Sequence, residues 1–312
     1  MREHRRCHAN LFKYPLKFGT YTKKHGLKKA LKRSFEKLKY SFYVERVPAP
    51  HAEEISNGKS NTLCYRCNIC GKECESKITE LTREKPSCIS CGSTVRMRAI
   101  IRTLSLELFG ESLAIPDFPT RHDIVGMGMS DWEEYAERLK HKLDYRNTYY
   151  HKEPQLDIIS IPPDLEGKFD FVISTDVFEH VEPPISIAFE NIRKLLKYNG
   201  VFIFSVPYLK EGKTIEHFPE LYRFEIIKNN DSSFLKNITR SGVEQIYDHL
   251  VFHGGEGTTL EMRSFSESSL MEEFLKAGFT NVEIYKDQDL KYGIRWEIDW
   301  SLPIAARIKQ RL

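Results

Sequence analysis

The chain has 312 residues, 40% hydrophobic and 29% charged, a size and balance that suit one full α/β domain with a smaller module beside it. No apolar run approaches the roughly 20 residues needed to cross a bilayer, and no apolar core follows the basic start, so neither a membrane span nor a secretory signal is expected and the location reads as cytoplasmic. The net charge of +3 hides an asymmetry: residues 1–47 hold fourteen Lys or Arg against three Asp or Glu, so an arm of +11 precedes a body of −8.

The arm comes first, over residues 1–50. Leu27, Leu31, Phe35, Leu38 and Phe42 recur every three to four positions with lysines between them, the pattern of a basic amphipathic helix. Such a helix suits peripheral contact with an anionic membrane, nucleic acid, or the acidic body of the same chain. The plainer alternative is a solvated lysine face over a docked apolar stripe. Pro48, Pro50 and the polar run SNGKSN then read as a linker.

A cysteine module spans 61–92. Its two knuckles are Cys67-Asn-Ile-Cys70-Gly71 and Cys88-Ile-Ser-Cys91-Gly92, with seventeen residues between them. Zinc takes four thiolates tetrahedrally, a two-residue gap turns consecutive cysteines back onto one ion, and the following glycine permits the turn. The spacing therefore predicts a structural zinc ribbon on Cys67, Cys70, Cys88 and Cys91. Cys64 and Cys74 are close enough to compete, since Cys64-x-x-Cys67 is itself a legal pair. Two CxxC redox pairs are the alternative, without the βαβ context such motifs require. A helix from Ser93 to about Phe109, apolar at Val95, Ala99, Ile100, Leu104 and Leu108, is expected to be clamped by the ribbon onto the main domain, 93–312.

Within that domain, Phe169 to Ile173 reads as a buried parallel strand, with Ser174, Thr175 and Asp176 at its carboxyl end, where ligands bind in open α/β sheets. A helix over about 185–197 stops at Tyr198-Asn199-Gly200, and Val201–Val206 is the next strand. Ser268 to Lys276 is a helix ended near Gly278, and Asn281–Tyr285 a strand. This alternation predicts a doubly wound α/β sheet.

Taken together, FDFVISTDVFEHV, LLKYNGVFIFSVP and FSESSLMEEFLKAGFTNVEIY resemble, in order, the fourth strand, the fifth strand and the final helix and strand of class I S-adenosylmethionine-dependent methyltransferases. The resemblance covers about 124–285. It implies a Rossmann-like sheet of seven strands with the last antiparallel, and S-adenosylmethionine as cofactor. The stretch from Gly126 to Ile158 also looks like a bacterial group of zinc-ribbon methyltransferases sharing G-x-G-x-S-D-W and N-T-x-Y-H-x-E-P-x-L-D-I. Where the family carries a glycine loop, this chain has Ile124-Val-Gly126-Met-Gly128-Met-Ser-Asp131. Two registers remain open. Gly126 and Gly128 form the cofactor loop with a βα unit lost afterwards, or the segment is the second strand, with Asp131 a displaced ribose-binding acid and a third strand in Tyr145–His151. Spacing favours the second. The resemblance places Asp157 and Ile158 against the adenine, with Ser174, Thr175 and Asp176 along the same edge. Plain turn roles are the alternatives for Asp157 and the two glycines.

Methyl transfer to a hydroxyl or amine also requires removal of a proton, a task that suits histidine. His180, just past the fourth strand, is the first candidate, with a capping role as its plain alternative. His217 and His253 lie in a polar insertion, 205–264, read as a lid carrying a hairpin about Asn229-Asn-Asp231. A metal site on His217, Glu220 and His253 is a weaker reading. The expectation is a methyltransferase acting on a small-molecule or glycan-type acceptor. The alternatives are an RNA methyltransferase gripping phosphates through the arm and ribbon, and a scaffold that has lost its cofactor.

Overall fold

A computed structural model describes residues 61–229, 232–253 and 259–308. The basic arm and the partners expected of residues 1–47 lie outside the described residues.

Strands β1 (Thr62–Arg66) and β2 (Glu73–Lys77) pair antiparallel and carry the first knuckle between them. Both knuckles close with a backbone bond from the glycine to the first cysteine, Gly71 N–H to Cys67 O and Gly92 N–H to Cys88 O, each 2.8 Å. The glycines sit at φ 77° and 76°, a left-handed conformation that other residues adopt only at a cost. Helix α1 (Val95–Phe109) follows, its N-terminus capped by Thr94, whose hydroxyl accepts from Met97 N–H. The fully buried Arg98 fastens helix to module: its guanidinium donates to Ser93 O, Ser87 Oγ and Gly293 O and lies over the Tyr65 ring.

The central sheet has six strands among the described residues: β3 (Arg121–Met129), β4 (Leu143–Thr148), β5 (Phe169–Thr175), β6 (Leu196–Ser205), β7 (Asn281–Ile284) and β8 (Ile304–Arg307). Their order is β7-β8-β6-β5-β3-β4, with β3 to β6 parallel and β8 antiparallel to both neighbours. Alternation along each strand divides the side chains between two cores. Phe171, Ile173, Val201, Ile203 and Ala305 face α1, the cysteine module and α2 (Glu133–Lys140). Met127, Met129, Val172, Phe202, Phe204 and Ile304 face α3 (Ser186–Leu195) and α4 (Glu267–Lys276). This is a doubly wound α/β fold, and the antiparallel last strand agrees with the sequence reading.

The register is a correction. β3 lies between β4 and β5, Gly126–Met129 pairing directly with Phe171–Ser174, so Ile124–Met129 opens the sheet rather than being its second strand. The next strand is β4, and no described strand lies beyond it. Residues 149–168, which spacing had allotted to the end of a third strand and its connection, instead form an irregular link whose one helical turn is Pro163–Leu165. A βα unit is missing there, so among the described residues the sheet has six strands rather than seven. Strand order reverses between β3 and β5, which puts the switch point, and the crevice that accompanies it, at their carboxyl ends.

The insertion forms an antiparallel meander of Arg223–Asn229, Ser232–Ile238 and Glu244–Tyr247, the first two being the hairpin read from the sequence. Its own small core is Phe218, Leu235, Leu260 and Met262. The returning strand Arg263–Ser266 pairs parallel with Tyr208–Leu209 and antiparallel with Ile215–Glu216.

Candidate functional site

Both strands at the switch point end in a residue of left-handed backbone, Ser130 at φ 56° after β3 and Asp176 at φ 53° after β5. A non-glycine residue in this region carries strain of roughly 1–2 kcal/mol, and such strain collects at functional edges. Asp176 is held by two arginines from the preceding module: Arg83 reaches it at 2.9 Å and Arg96 at 3.1 Å. Arg96 also donates to Thr175 Oγ1 at 2.5 Å and pairs with Glu84. Burial works against the Asp176 charge, but the two guanidinium groups more than offset it and hold the carboxyl below the usual range. Thr175 and Asp176 are thus engaged by side chains of the protein itself. Ser174 is not: its hydroxyl is buried without a partner, on the face shared with Met129 and Ile158.

Gly126 and Gly128 are placed inside β3 rather than in a loop. A Cβ at Gly126 would run into the Phe171 ring, and one at Gly128 into the Tyr145 hydroxyl and Asp131 carboxylate. Tyr145 and Phe171 stack in parallel, 5.8 Å apart, across the two glycines. Asp131 is buried beneath α2, where Tyr145 donates to its carboxylate and its backbone N–H donates to Asn147. Burial pushes its carboxyl up to about 7. Asp157 closes a turn by accepting from Ile159 N–H at 3.0 Å, while Ile158 is buried and held through its carbonyl by Asn191.

The histidines converge. Phe178, wholly buried against Phe189 and Phe204, anchors a one-turn helix, Phe178–His180, immediately after the β5 edge. The end of the insertion grips this turn: Met262 N–H donates to Glu179 O at 2.7 Å and Arg263 to Phe178 O at 2.6 Å. His180 Nδ1 lies 2.9 Å from Leu260 O, so it carries the proton and Nε2 is left as acceptor. His253 Nδ1 sits 3.1 Å from that Nε2, and His253 Nε2 is 2.8 Å from Glu261. Glu261 in turn meets His217 Nε2 at 3.0 Å and Ser264 Oγ at 3.0 Å. Burial lowers the His180 pKa, whereas the Glu261 hydrogen bond raises that of His253. Burial also opposes the Glu261 charge, but hydrogen bonds from His217, His253 and Ser264 bring that carboxyl down to about 2. Glu220 is absent from the group, its carboxylate accepting from Gln245 Nε2 instead. The His217–Glu220–His253 grouping is therefore corrected: Glu261 stands where Glu220 was expected.

Glu179 stands apart chemically. It is 1% exposed, and neither carboxylate oxygen has a hydrogen-bond partner. Burial holds its carboxyl well above the ordinary carboxylate range.

At the cysteine module, Cys67 and Cys91 are 3.7 Å apart at sulfur, as are Cys70 and Cys88, and all four sulfurs lie within 4.8 Å of one another. Tetrahedral thiolates about 2.3 Å from one ion lie about 3.8 Å apart, so these residues fit zinc. Cys64 is exposed on β1, while Cys74 is buried with its sulfur 3.3 Å from Cys88.

A doubly wound sheet with polar groups gathered along the edge at its switch point is the architecture in which open α/β sheets bind ligands. The sequence model of the methyltransferase domain family matches residues 112–284, more than half the chain, and the chain belongs to that family. It is a class I S-adenosylmethionine-dependent methyltransferase. Among solved structures it is similar to the 1,6-didemethyltoxoflavin-N1-methyltransferase of Burkholderia thailandensis, 14% identical over 68% of this chain and 79% of that one, with a TM-score of 0.37. It is also similar to the sugar N-methyltransferase KedS8 of Streptoalloteichus, 10% identical over 69% and 87%, with a TM-score of 0.38. A third is the amino pentose methyltransferase CalS10 of Micromonospora echinaspora, 12% identical over 69% and 92%, with a TM-score of 0.37. No curated protein matches the chain. No described helix is long and apolar enough to cross a membrane.

Sequence reading missed Arg83, Arg96, Glu179 and Glu261. Glu179 carried a signal, since it adjoins His180 in the most informative motif. The arginines carried none, because both sit in a module that reads as purely structural.

Proposed function

We propose that the domain methylates a hydroxyl of a small-molecule or glycan-type acceptor, with cofactor at the β3–β5 edge and acceptor beneath the lid. The observation that carries this reading is a coincidence on one edge. An unpartnered, buried Ser174 hydroxyl lies at the switch point, and the histidine–glutamate cluster begins a few residues further along the same strand exit. S-adenosylmethionine supplies an electrophilic methyl group when bound. Met129 and Ile158 offer an apolar seat for its adenine, Asp157 an acceptor for the exocyclic amine, and Ser174 a hydroxyl partner. Arg83 and Arg96 hold Asp176 from the module side. His180, His253 and His217, joined through Glu261, give the acceptor's proton a route away from the reacting oxygen.

Calorimetry with S-adenosylmethionine tests the reading. Micromolar binding at one site is expected, weakened about tenfold or more in Ser174→Val and Asp157→Asn, a loss of about 1.4 kcal/mol or more. No heat up to millimolar cofactor would sink it. Release of S-adenosylhomocysteine, followed against panels of hydroxylated sugars and of RNA, then separates the acceptor classes.

We propose further that Cys67, Cys70, Cys88 and Cys91 hold a structural zinc ion. The sulfur spacing supports this, and four thiolates leave no open position for chemistry. One equivalent of zinc released by a thiol-modifying reagent is the expected result.

A further inference from the structure

We infer that Glu179, His180 and His253 form a second metal site, one for a divalent transition-metal ion. The two ring nitrogens that face each other, His180 Nε2 and His253 Nδ1, are 3.1 Å apart. Two ligands about 2.1 Å from one ion at right angles lie about 3 Å apart, so the spacing already suits a shared cation. Glu179 Oε1 completes the triangle, 3.7 Å from the first nitrogen and 3.9 Å from the second. Each histidine is turned toward this point by an acceptor on its other nitrogen: Leu260 O behind His180 and the Glu261 carboxylate behind His253. That is the outer-shell arrangement that orients metal-bound imidazoles and fixes their tautomers.

Without an ion, a proton shared between the two rings accounts for the 3.1 Å contact. It does not account for Glu179. A carboxylate 1% exposed, with no hydrogen bond to either oxygen and one oxygen facing both nitrogens, is costly to bury, and a cation between the three groups repays the cost. Two imidazoles and one carboxylate leave the remaining positions of the ion open, as in sites that act on a bound ligand rather than hold a fold. Resting on the methyltransferase reading, an ion here would hold the acceptor's hydroxyl oxygen and make it more acidic, with His180 and His253 serving as its ligands in place of the proton route through their rings. Neighbouring hydroxyls, as in a diol or a sugar, fit such a face best.

The test uses the full chain, dialysed against EDTA, repleted with one equivalent of zinc for the cysteines, then titrated with Mn²⁺ while free Mn²⁺ is followed by electron paramagnetic resonance. One Mn²⁺ per chain is expected, with couplings from two imidazole nitrogens, and Glu179→Gln and His253→Ala each weaken binding tenfold or more. Absence of bound Mn²⁺ overturns the inference, as does binding unchanged in both variants. If circular dichroism shows either variant unfolded, the wild-type spectrum decides: nitrogen coupling supports the site and a water-only spectrum overturns it. Cofactor calorimetry on the same preparation keeps the two claims apart. S-adenosylmethionine bound without Mn²⁺ removes only the cation, whereas Mn²⁺ bound without S-adenosylmethionine leaves the cation site and removes the proposed cofactor edge and the acceptor role that rests on it.

Discussion

Asp131 shows how one residue can look like a ligand in sequence and behave as a titrating core group in the structure. Its carboxyl is wholly buried and pushed up to about 7, well above the ordinary value of 3.8. A raised folded-state value means that the unfolded chain gives up this proton first, so stability is greatest below about pH 4 for this group and is lost as pH rises toward about 7. Asp131→Asn imitates the protonated form and removes the dependence. Thermal melts from pH 5 to pH 8 should show the variant less pH-sensitive than wild type and more stable at the alkaline end by up to about 4 kcal/mol. Parallel curves would refute the assignment. Gly126 makes a related point: the residue is glycine because the Phe171 ring fills the space of a Cβ, which no sequence pattern reveals. Gly126→Ala should cost roughly 1–3 kcal/mol by overpacking, with part regained in Gly126→Ala/Phe171→Leu, measured by denaturant unfolding. What local pattern in the sequence made legible was grouping: the spacing that pairs the four cysteines matches the way their sulfurs come together, and His180 stands just past the strand edge where the motif put it. Arg96 and Glu179 depend on partners far along the chain, Asp176 and His253, whereas Asp131 is buried by neighbours only 14 and 16 residues on, Tyr145 and Asn147.

Among the elements, the long periodic ones were readable and their neighbours were not. The strand at 169–175, the helices at 95–109, 186–195 and 267–276, and the strand at 281–284 all stand within a few residues of where hydrophobic pattern and caps put them. β8 was missed because Ile304-Ala-Ala-Arg307 is too short and too alanine-rich to stand out, and only its place between β6 and β7 makes it a strand. Register failed for a different reason. Counting residues between Gly126 and Asp170 assumes that the link after β4 contains a further unit, whereas the chain spends it on an irregular crossing. Helix α1 carries a consequence of its own, since Arg96 joins it to the β5 edge. Arg96→Met leaves Asp176 with one arginine. Because the Asp176 side chain is 20% exposed, the loss should fall nearer 2 kcal/mol than the larger cost of a fully buried pair, and cofactor affinity should fall with it. A calorimetric titration unchanged in Arg96→Met would show that the arginine clamp has no part in shaping the crevice.

For residues 61–308, one apolar cluster runs from Tyr65, Cys67 and Ile69 of the cysteine module through α1 to Phe171, Ile173 and Val201 of the sheet. A module that shares its core with the sheet cannot unfold by itself without exposing that surface, so metal and cofactor should act on a single cooperative transition. On the proposed zinc site, removing the ion takes away the ties that hold Cys67 to Cys91 and Cys70 to Cys88, and with them the module that positions Arg83 and Arg96. S-adenosylmethionine at a hundred times its dissociation constant should add about 2.7 kcal/mol by mass action, which for a folded unit of this size is a rise of roughly 5–10 °C in Tm. After zinc is stripped by a chelator, the same transition should move down, and the cofactor should no longer raise it by the full amount. Differential scanning calorimetry decides the matter. Two separated transitions, only one of them sensitive to the chelator and the other still raised fully by cofactor, would mean that ribbon and sheet are independent and that the arginines serve the ribbon alone.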